Sequence, residues 1–179
     1  MSQVASVYGG ALYSLCKEEA LTDTVLQELS VLQESFRESP DFLRLLSAPN
    51  VAVQERCQVL DDCFRGKVQP YVLNFLKLLT EKGFAKAFSD CVEEYRHMYN
   101  EDHQILPVTA VTAIPLTQEQ SARLTEKLSK LTGKNAQLHN RVDPSCLGGV
   151  RLDYDGKRVD GSVASRLETV RNLLKNTVL

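Results

Sequence analysis

The sequence predicts an α+β fold, with a helical module over residues 1–104 and a small α/β module over residues 105–179. Apolar residues in the first module recur every three or four positions, the spacing of one helix face. From Ile105 onward, stretches rich in β-branched residues alternate with helical ones. The net charge changes sign at the same place. Residues 1–104 include ten basic and sixteen acidic residues, a net charge of −6, and residues 105–179 include eleven basic and seven acidic residues, a net charge of +4. We therefore expect two modules with different partners.

The first module is expected to contain about six short helices, too many for a simple four-helix bundle. Ser39 and Pro40 are expected to start one of them, because serine caps helices and proline suits the first helical position. Residues 70–83 are apolar nearly all round, which places that helix centrally. The other helices are predicted over residues 4–20, around Val25, Leu29, Leu32 and Phe36, and over 41–46, 51–64 and 84–100.

The second module is predicted to begin with a strand, ILPVTAVTAIPL, in which Pro107 favours a sheet edge or a bulge. Thr117 and Gln120 have the spacing of a capping box for the helix that follows, and Gly133 is expected to end that helix. This helix is predicted to carry Leu124, Leu128 and Leu131, with Glu126 and Lys130 paired one turn apart. Further strands are predicted over 136–142, 147–154 and 157–160, before a final helix carrying Val163, Leu167, Val170 and Leu174.

The stretch VRLDYDGKRVDGSV, residues 150–163, has two interpretations. A calcium loop that starts at Asp153 lacks the glycine and the glutamate required at its sixth and twelfth positions. A hairpin fits better, because Asp155 and Gly156 suit a tight two-residue turn between alternating residues. This register pairs Leu152 with Val159 and Asp153 with Arg158.

Composition favours a soluble globular protein, with 43% hydrophobic and 25% charged residues. No apolar run reaches the roughly 20 residues of a membrane span, and the start lacks the pattern of a secretory signal. The cysteines match neither a zinc site nor a disulfide framework, so we expect buried free thiols in a reducing cytoplasm. They are Cys16, Cys57, Cys63, Cys91 and Cys146.

No catalytic, cofactor-binding or metal-binding motif is evident. Gly148 and Gly149 open a strand rather than a helix, so backbone crowding or a bulge is favoured over a phosphate cradle. The adjacent acids Asp61 and Asp62 are interpreted as a solvated helix face. The residues favour a non-enzymatic adaptor. An RNA-binding or ribosome-associated module is the alternative, although Tyr154 is the second module's single aromatic residue. A hydrolase is the third hypothesis.

Four stretches carry a resemblance to a known family: VYGGALYSLC, FLRLLSAPNV, NFLKLLTEKG and VDPSCLGGVRLDYDGKRVDGSVASRLETVRNLL. In this order they resemble, over essentially the full length, the delta subunit of the bacterial F-type ATP synthase, related to the mitochondrial oligomycin-sensitivity-conferring protein. The Gly9-Gly10 pair and Cys146 depart from the family's pattern, and the glycines are expected to loosen the first helix. The matching residues of the last stretch are Asp143, Gly148, Gly149, Asp160, Gly161, Ser162, Val163, Arg166 and Leu167.

The resemblance implies a non-catalytic stator subunit without cofactor or metal. Its N-terminal six-helix bundle would bind the N-terminal helix of the alpha subunit, and its C-terminal module the b subunits of the peripheral stalk. The protein would lie peripherally at the cytoplasmic face of the plasma membrane, contacting the membrane only through the complex, and would bind no nucleic acid. The resemblance also implies an alpha-binding groove between the first and fifth helices, although groove anchors and core residues share the same spacing. The groove residues it implies are Tyr8, Ala11, Leu12, Leu15, Asn74, Leu78 and Leu79, with Tyr8 and Leu78 the preferred choices.

Overall fold

The chain forms an α+β structure in two units. The computed structural model describes residues 3–154, 156–163 and 165. The chain separates into the units Met1–Tyr99 and Asn100–Leu179. Within the described ranges, six α-helices precede the first strand, and a seventh lies between the first two strands of a four-stranded sheet. No helix in these ranges is long and apolar enough to cross a membrane.

The helices before the sheet follow the predicted order closely. Ser39 occupies the cap position before the third helix, but its side chain makes no capping hydrogen bond. The predicted helix over residues 84–100 is divided, because a short 3-10 helix, Ala85–Ala87, precedes the regular part. The helices are α1 (Gln3–Glu18), α2 (Thr22–Glu38), α3 (Pro40–Leu46), α4 (Val53–Phe64), α5 (Pro70–Glu81) and α6 (Phe88–Asp102).

Aromatic packing joins several of these helices. The ring of Phe36 on α2 stacks on Phe42 of α3 with centroids 5.3 Å apart, and meets Phe88 of α6 edge-on at 5.0 Å. Such offset and edge-to-face contacts add to the free energy gained by burying the rings. On α5, apolar residues on several faces are buried, as its composition predicts: Val72, Leu73, Phe75, Leu76 and Leu79.

A buried arginine donates a hydrogen bond to the C-terminal end of α3. The side chain of Arg56 on α4 is 8% exposed, and its Nη1 donates to the carbonyl of Leu46 at 2.7 Å. Leu46 is the last residue of α3, where backbone carbonyls lack partners within the helix. The contact supplies a donor to a helix end that would otherwise be buried without one.

The second unit combines a mixed sheet with one described helix. The strands are arranged in the order β2-β1-β3-β4, with β1 parallel to β2 and the other two pairs antiparallel. The helix connects the two parallel strands, as such a pair requires. The elements are β1 (Ile105–Thr112), α7 (Gln118–Thr132), β2 (Asn135–Val142), β3 (Val150–Tyr154) and β4 (Lys157–Asp160).

The predicted ends of α7 are confirmed. Thr117 and Gln120 form a reciprocal capping box, and Gly133 ends the helix with φ of +70°. The Nζ of Lys130 lies 2.6 Å from the Glu126 carboxylate. Leu124 and Leu128 pack against the sheet, whereas the side chain of Leu131 is 84% exposed. Leu131 lies in the last turn of α7, where helical spacing continues but no sheet residue covers the side chain.

Pro107 lies on an internal strand, contrary to the expectation of a sheet edge. The strand β1 pairs with β2 on one side and with β3 on the other. The β1–β3 pairing starts at Val108, opposite Tyr154, so Pro107 is one residue outside it. The missing N–H of proline therefore removes no hydrogen bond to β3.

The predicted hairpin register is confirmed, with Leu152 opposite Val159 and Asp153 opposite Arg158. The Nε of Arg158 donates to the Asp153 carboxylate at 2.8 Å. Two positions separate the paired residues Tyr154 and Lys157. One is Gly156, with φ of +69°. The other, Asp155, lies outside the described residues.

The glycine pair before β3 is explained by backbone crowding. A Cβ on Gly149 would lie 2.6 Å from the carbonyl oxygen of Gly161. The two segments are joined by hydrogen bonds from Gly161 N to Val150 O and from Val163 N to Gly148 O, both 3.0 Å long. The third strand starts at Val150 rather than at the predicted residue 147, because Leu147 and Gly149 have positive φ values of +59° and +78°, outside the strand conformation.

The Asp160-Gly161-Ser162 motif has a local structural role. The Asp160 carboxylate accepts a hydrogen bond from Ser162 N at 2.9 Å. Hydrogen bonding from the Ser162 side chain, and then from its backbone N–H, lowers the pKa of Asp160. The hydroxyl of Ser162 accepts from Ser165 N at 3.2 Å, as in a helix cap. The other predicted residues of this motif, Arg166 and Leu167, and the face containing Val170 and Leu174, lie outside the described residues.

Candidate helix-binding groove

A groove with a volume of about 340 Å³ lies along α1 and α5. Among the described residues, no charged side chain lines it. Apolar and aromatic groups form most of the surface that these residues supply, and Asn74 contributes an amide. The lining residues are Tyr8, Ala11, Leu12, Leu15, Tyr71, Asn74, Phe75 and Leu78.

The helix α1 directs different faces to the groove and to the core. Leu15 is 41% exposed, and Ala11 is also exposed. Leu12 is buried, so it forms the floor of the groove rather than its rim. The adjoining face of α1 carries core residues, among them Cys16 and Tyr13, whose ring meets Tyr95 edge-on at 5.2 Å. The core therefore fixes the orientation of α1 and leaves its other face open.

The helix α5 supplies the other wall. Leu78 is 39% exposed and Asn74 is exposed, one turn apart on the same face. Phe75 is buried behind them, with its ring centroid 6.4 Å from that of Phe88. Leu79 is 1% exposed and does not line the groove, so its inclusion among the groove residues is corrected. Its side chain belongs to the core.

Two lining residues, Tyr71 and Phe75, were not among the predicted residues. Tyr71 precedes Asn74 by three positions, and Phe75 precedes Leu78 by three, so helical spacing already contained the signal. The six other lining residues are all among those that the resemblance implies: Tyr8, Ala11, Leu12, Leu15, Asn74 and Leu78.

An aromatic pair extends the apolar surface beyond the end of α5. The ring of Tyr8 lies 5.9 Å from that of Phe84, which is 38% exposed. Exposed apolar groups adjoining a groove are typical of surfaces that bind another protein. An amphipathic helix can bind such a groove by its apolar face.

An ion pair joins α5 to α4. The Nζ of Lys77 lies 2.7 Å from Asp61, whose side chain is 12% exposed, and Arg65 lies 3.1 Å from the same carboxylate oxygen. The hydrogen bond from Lys77 is the main reason that the pKa of Asp61 is lowered. The interpretation of Asp61 as part of a solvated face is therefore wrong, because the residue joins two helices.

A second, larger groove of about 730 Å³ lies within the second unit. Its lining includes Arg123 and Lys127 of α7, together with Ile114 and Leu147, which are 74% and 68% exposed. Leu147 has a positive φ of +59°, which is uncommon for a leucine. This groove combines apolar side chains with basic ones.

The cysteines and the possible metal ligands are also candidate functional groups. All five cysteines are free thiols, with Cys16, Cys91 and Cys146 buried and the other two half-buried. Within the described ranges, no three histidine, cysteine or acidic side chains are grouped so that they could hold a metal ion. Tyr154 is half-buried against the core beneath α7.

Comparison with known proteins gives full-length relatives. A family model described as the ATP synthase delta (OSCP) subunit matches residues 4–174. ATP synthase subunit delta from Alkaliphilus oremlandii is 32% identical over 176 residues, covering 98% of both chains. ATP synthase subunit delta from Lactobacillus gasseri is 34% identical over 173 residues, covering 96% of this chain and 94% of that one.

The fold is also known from a solved complex. A chain of the cryo-EM structure of the Toxoplasma gondii mitochondrial ATP synthase hexamer matches with a TM-score of 0.76 and 20% sequence identity, covering 97% of this chain and 98% of that one. The resemblance inferred from the four sequence stretches is confirmed. Because the family match extends over nearly the whole sequence, this chain belongs to the ATP synthase delta (OSCP) family, structural rather than catalytic subunits in the peripheral stalk of the F-type enzyme.

Proposed function

We propose that this chain is a stator subunit that links the catalytic head of the ATP synthase to the b subunits of the peripheral stalk. The observation that carries the proposal is the open groove between α1 and α5. In this proposal, the helices of the first unit form a six-helix bundle, and the groove receives the N-terminal helix of an alpha subunit by its apolar face.

The geometry of the groove supports a helical occupant. Its apolar rows follow α1 and α5 at intervals of three and four residues, so they form continuous ridges along each helix axis. Leu15 and Leu78, both about 40% exposed, are available at the rim. Burial of apolar area stabilises such a complex by about 25 cal/mol per Å² before the costs of association are subtracted.

The second unit is proposed to bind the b subunits. Support comes from its own groove, where the apolar residues Ile114 and Leu147 lie with Arg123 and Lys127. The net charge of +4 over residues 105–179 would attract a partner with acidic residues beside an apolar face. The chain would thus lie peripherally at the cytoplasmic face of the membrane, through its attachment to the complex.

The proposed mechanism is mechanical. One chain attached to both the head and the stalk transmits the torque that would otherwise turn the head with the rotor. The attachments need strength and rigidity, and no proton transfer or bond cleavage within this subunit.

A titration of the full chain with a synthetic peptide of the cognate alpha subunit's N-terminal helix tests the proposal. We expect saturable one-to-one binding, weakened about tenfold or more by Leu78→Ala and by Tyr8→Ala, because each removes apolar area from the groove. Val31→Ala is the matched control, since Val31 is 66% exposed on α2 and does not line the groove.

Salt dependence separates this proposal from RNA binding. Binding of the apolar peptide should change little with ionic strength, whereas binding to RNA falls steeply as salt rises. If the folded chain does not bind the peptide but binds RNA in this salt-dependent manner, the proposed function is overturned.

A further inference from the structure

Asn74 places a polar amide among the apolar and aromatic residues that line the α1–α5 groove. Asn74 is exposed, and within the described part of the chain its side chain makes no hydrogen bond. It lies on the groove face of α5, three residues after Tyr71 and one turn before Leu78. A helix bound in this groove would cover the amide together with the apolar groups around it.

We propose that Asn74 fixes the register of the bound helix, because it requires a hydrogen-bonding side chain at one position of that helix's otherwise apolar face. The assignment rests on the proposed function, since it concerns the same groove. It adds a chemical property of the partner: one asparagine, glutamine, serine or threonine among apolar residues.

The requirement follows from the cost of burying an amide. The asparagine side chain offers two donors and one acceptor oxygen, all hydrated while the groove is open. An apolar residue placed over them would remove water without replacing its hydrogen bonds, which weakens binding by roughly tenfold or more. A polar residue at that position restores the bonds, so one register is favoured over its neighbours.

The two tyrosines of the groove do not impose this requirement. A tyrosine carries its hydroxyl at the far end of a large apolar ring, so the ring can be covered while the hydroxyl remains in water. The amide of Asn74 is on a short side chain close to the helix backbone, and a partner helix that covers the groove covers it too. A single buried asparagine determines register in coiled coils for the same reason.

The proposal predicts a matched pair of substitutions. The probe is the synthetic alpha-subunit peptide, together with a series in which each polar residue is replaced singly by leucine. We expect one peptide of the series to bind the wild-type chain about tenfold more weakly than the native peptide. Asn74→Leu should bind the native peptide about tenfold more weakly, and should bind that one altered peptide with near wild-type affinity.

Folding is checked separately by thermal unfolding of each variant, with Asn74→Ala as a second substitution that introduces no new bulk. The proposal is overturned if the folded Asn74 variants bind the native peptide as tightly as the wild-type chain does and discriminate among the peptides in the same way. That result leaves the groove function intact. If the wild-type chain does not bind the native peptide, or Leu78→Ala has no effect on binding, the groove function fails and this assignment fails with it.

Discussion

Gly9 allows α1 and α6 to approach closely. A Cβ at this position would lie 2.5 Å from the carbonyl oxygen of Cys91 and 3.1 Å from the Cβ of Glu94. The backbone oxygen cannot move without displacing α6. The glycine therefore has a packing role, which the sequence-based expectation of a loosened first helix did not include.

We expect Gly9→Ala to lower the free energy of unfolding by about 1–3 kcal/mol, because the added methyl group overpacks the helix contact. Gly10→Ala is the control. Its Cβ would meet the Sδ of Met98 at 3.4 Å, an ordinary contact with a flexible side chain. Alanine at position 10 should be neutral or stabilise by up to about 1 kcal/mol through helix propensity. Urea denaturation measures both, and equal stabilities for the two variants would contradict this account.

The Cys91 thiol should resist alkylation in the folded protein. Its side chain is 1% exposed, and burial is the main cause that raises its pKa to about 11. Since the thiolate is the reactive form, little of it exists at pH 8. We expect iodoacetamide to modify Cys63, which is half-buried, well before Cys91, as followed by peptide mass spectrometry. Equal rates in the native state, with both becoming fast in urea, would show that Cys91 is accessible.

The contact between α4 and α5 should depend on pH through Asp61. Its pKa in the folded chain lies below the ordinary 3.8, chiefly because Lys77 donates to the carboxylate. The stabilisation is therefore present above the ordinary pKa and is lost as pH falls through the lower folded value. We expect Asp61→Asn to reduce stability at pH 7, and the difference from wild type to shrink as the pH falls below about 4.

Asp62→Asn is the control for that measurement, since Asp62 is exposed and accepts a hydrogen bond from Gln58. Denaturant titrations at pH 7 and at pH 3 give the comparison. A deficit of the Asp61 variant that is equally large at both pH values would show that the ion pair is not its cause.

Elements whose geometry is set locally were predictable. The capping box of Thr117 and Gln120 and the hairpin register around Gly156 depend on residues a few positions apart. The position of Pro107 in the sheet was predicted incorrectly. Whether a strand lies at the edge of a sheet or inside it depends on pairing with strands that are distant in sequence. Leu128 and Leu131 have the spacing of one helix face, but only the extent of the sheet decides which turns of α7 are covered.

The two proposed attachments, to the alpha subunit and to the b subunits, should be separable by mutation. Leu78 is in the first unit, and Ile114, which is 74% exposed, is in the second. We expect Leu78→Ala to weaken binding of the alpha-subunit peptide and to leave binding of the b subunits unchanged. Ile114→Ser should have the opposite effect. Pull-down and titration with each partner check this, and loss of both interactions from either substitution in a folded chain would contradict separate sites.

The family, the α+β class and the order of elements could be read from the sequence. These depend on periodicity, local turn chemistry and motif order, all of which are present along one chain. Six of the eight residues that line the groove were implied by the family resemblance. Which apolar residues remain exposed depends on how the helices pack. Leu78 and Leu79 are adjacent and chemically identical, yet one is at the groove rim and the other is in the core. Neighbours on a helix point about 100° apart, and only the packing of α5 against other helices determines which direction meets solvent.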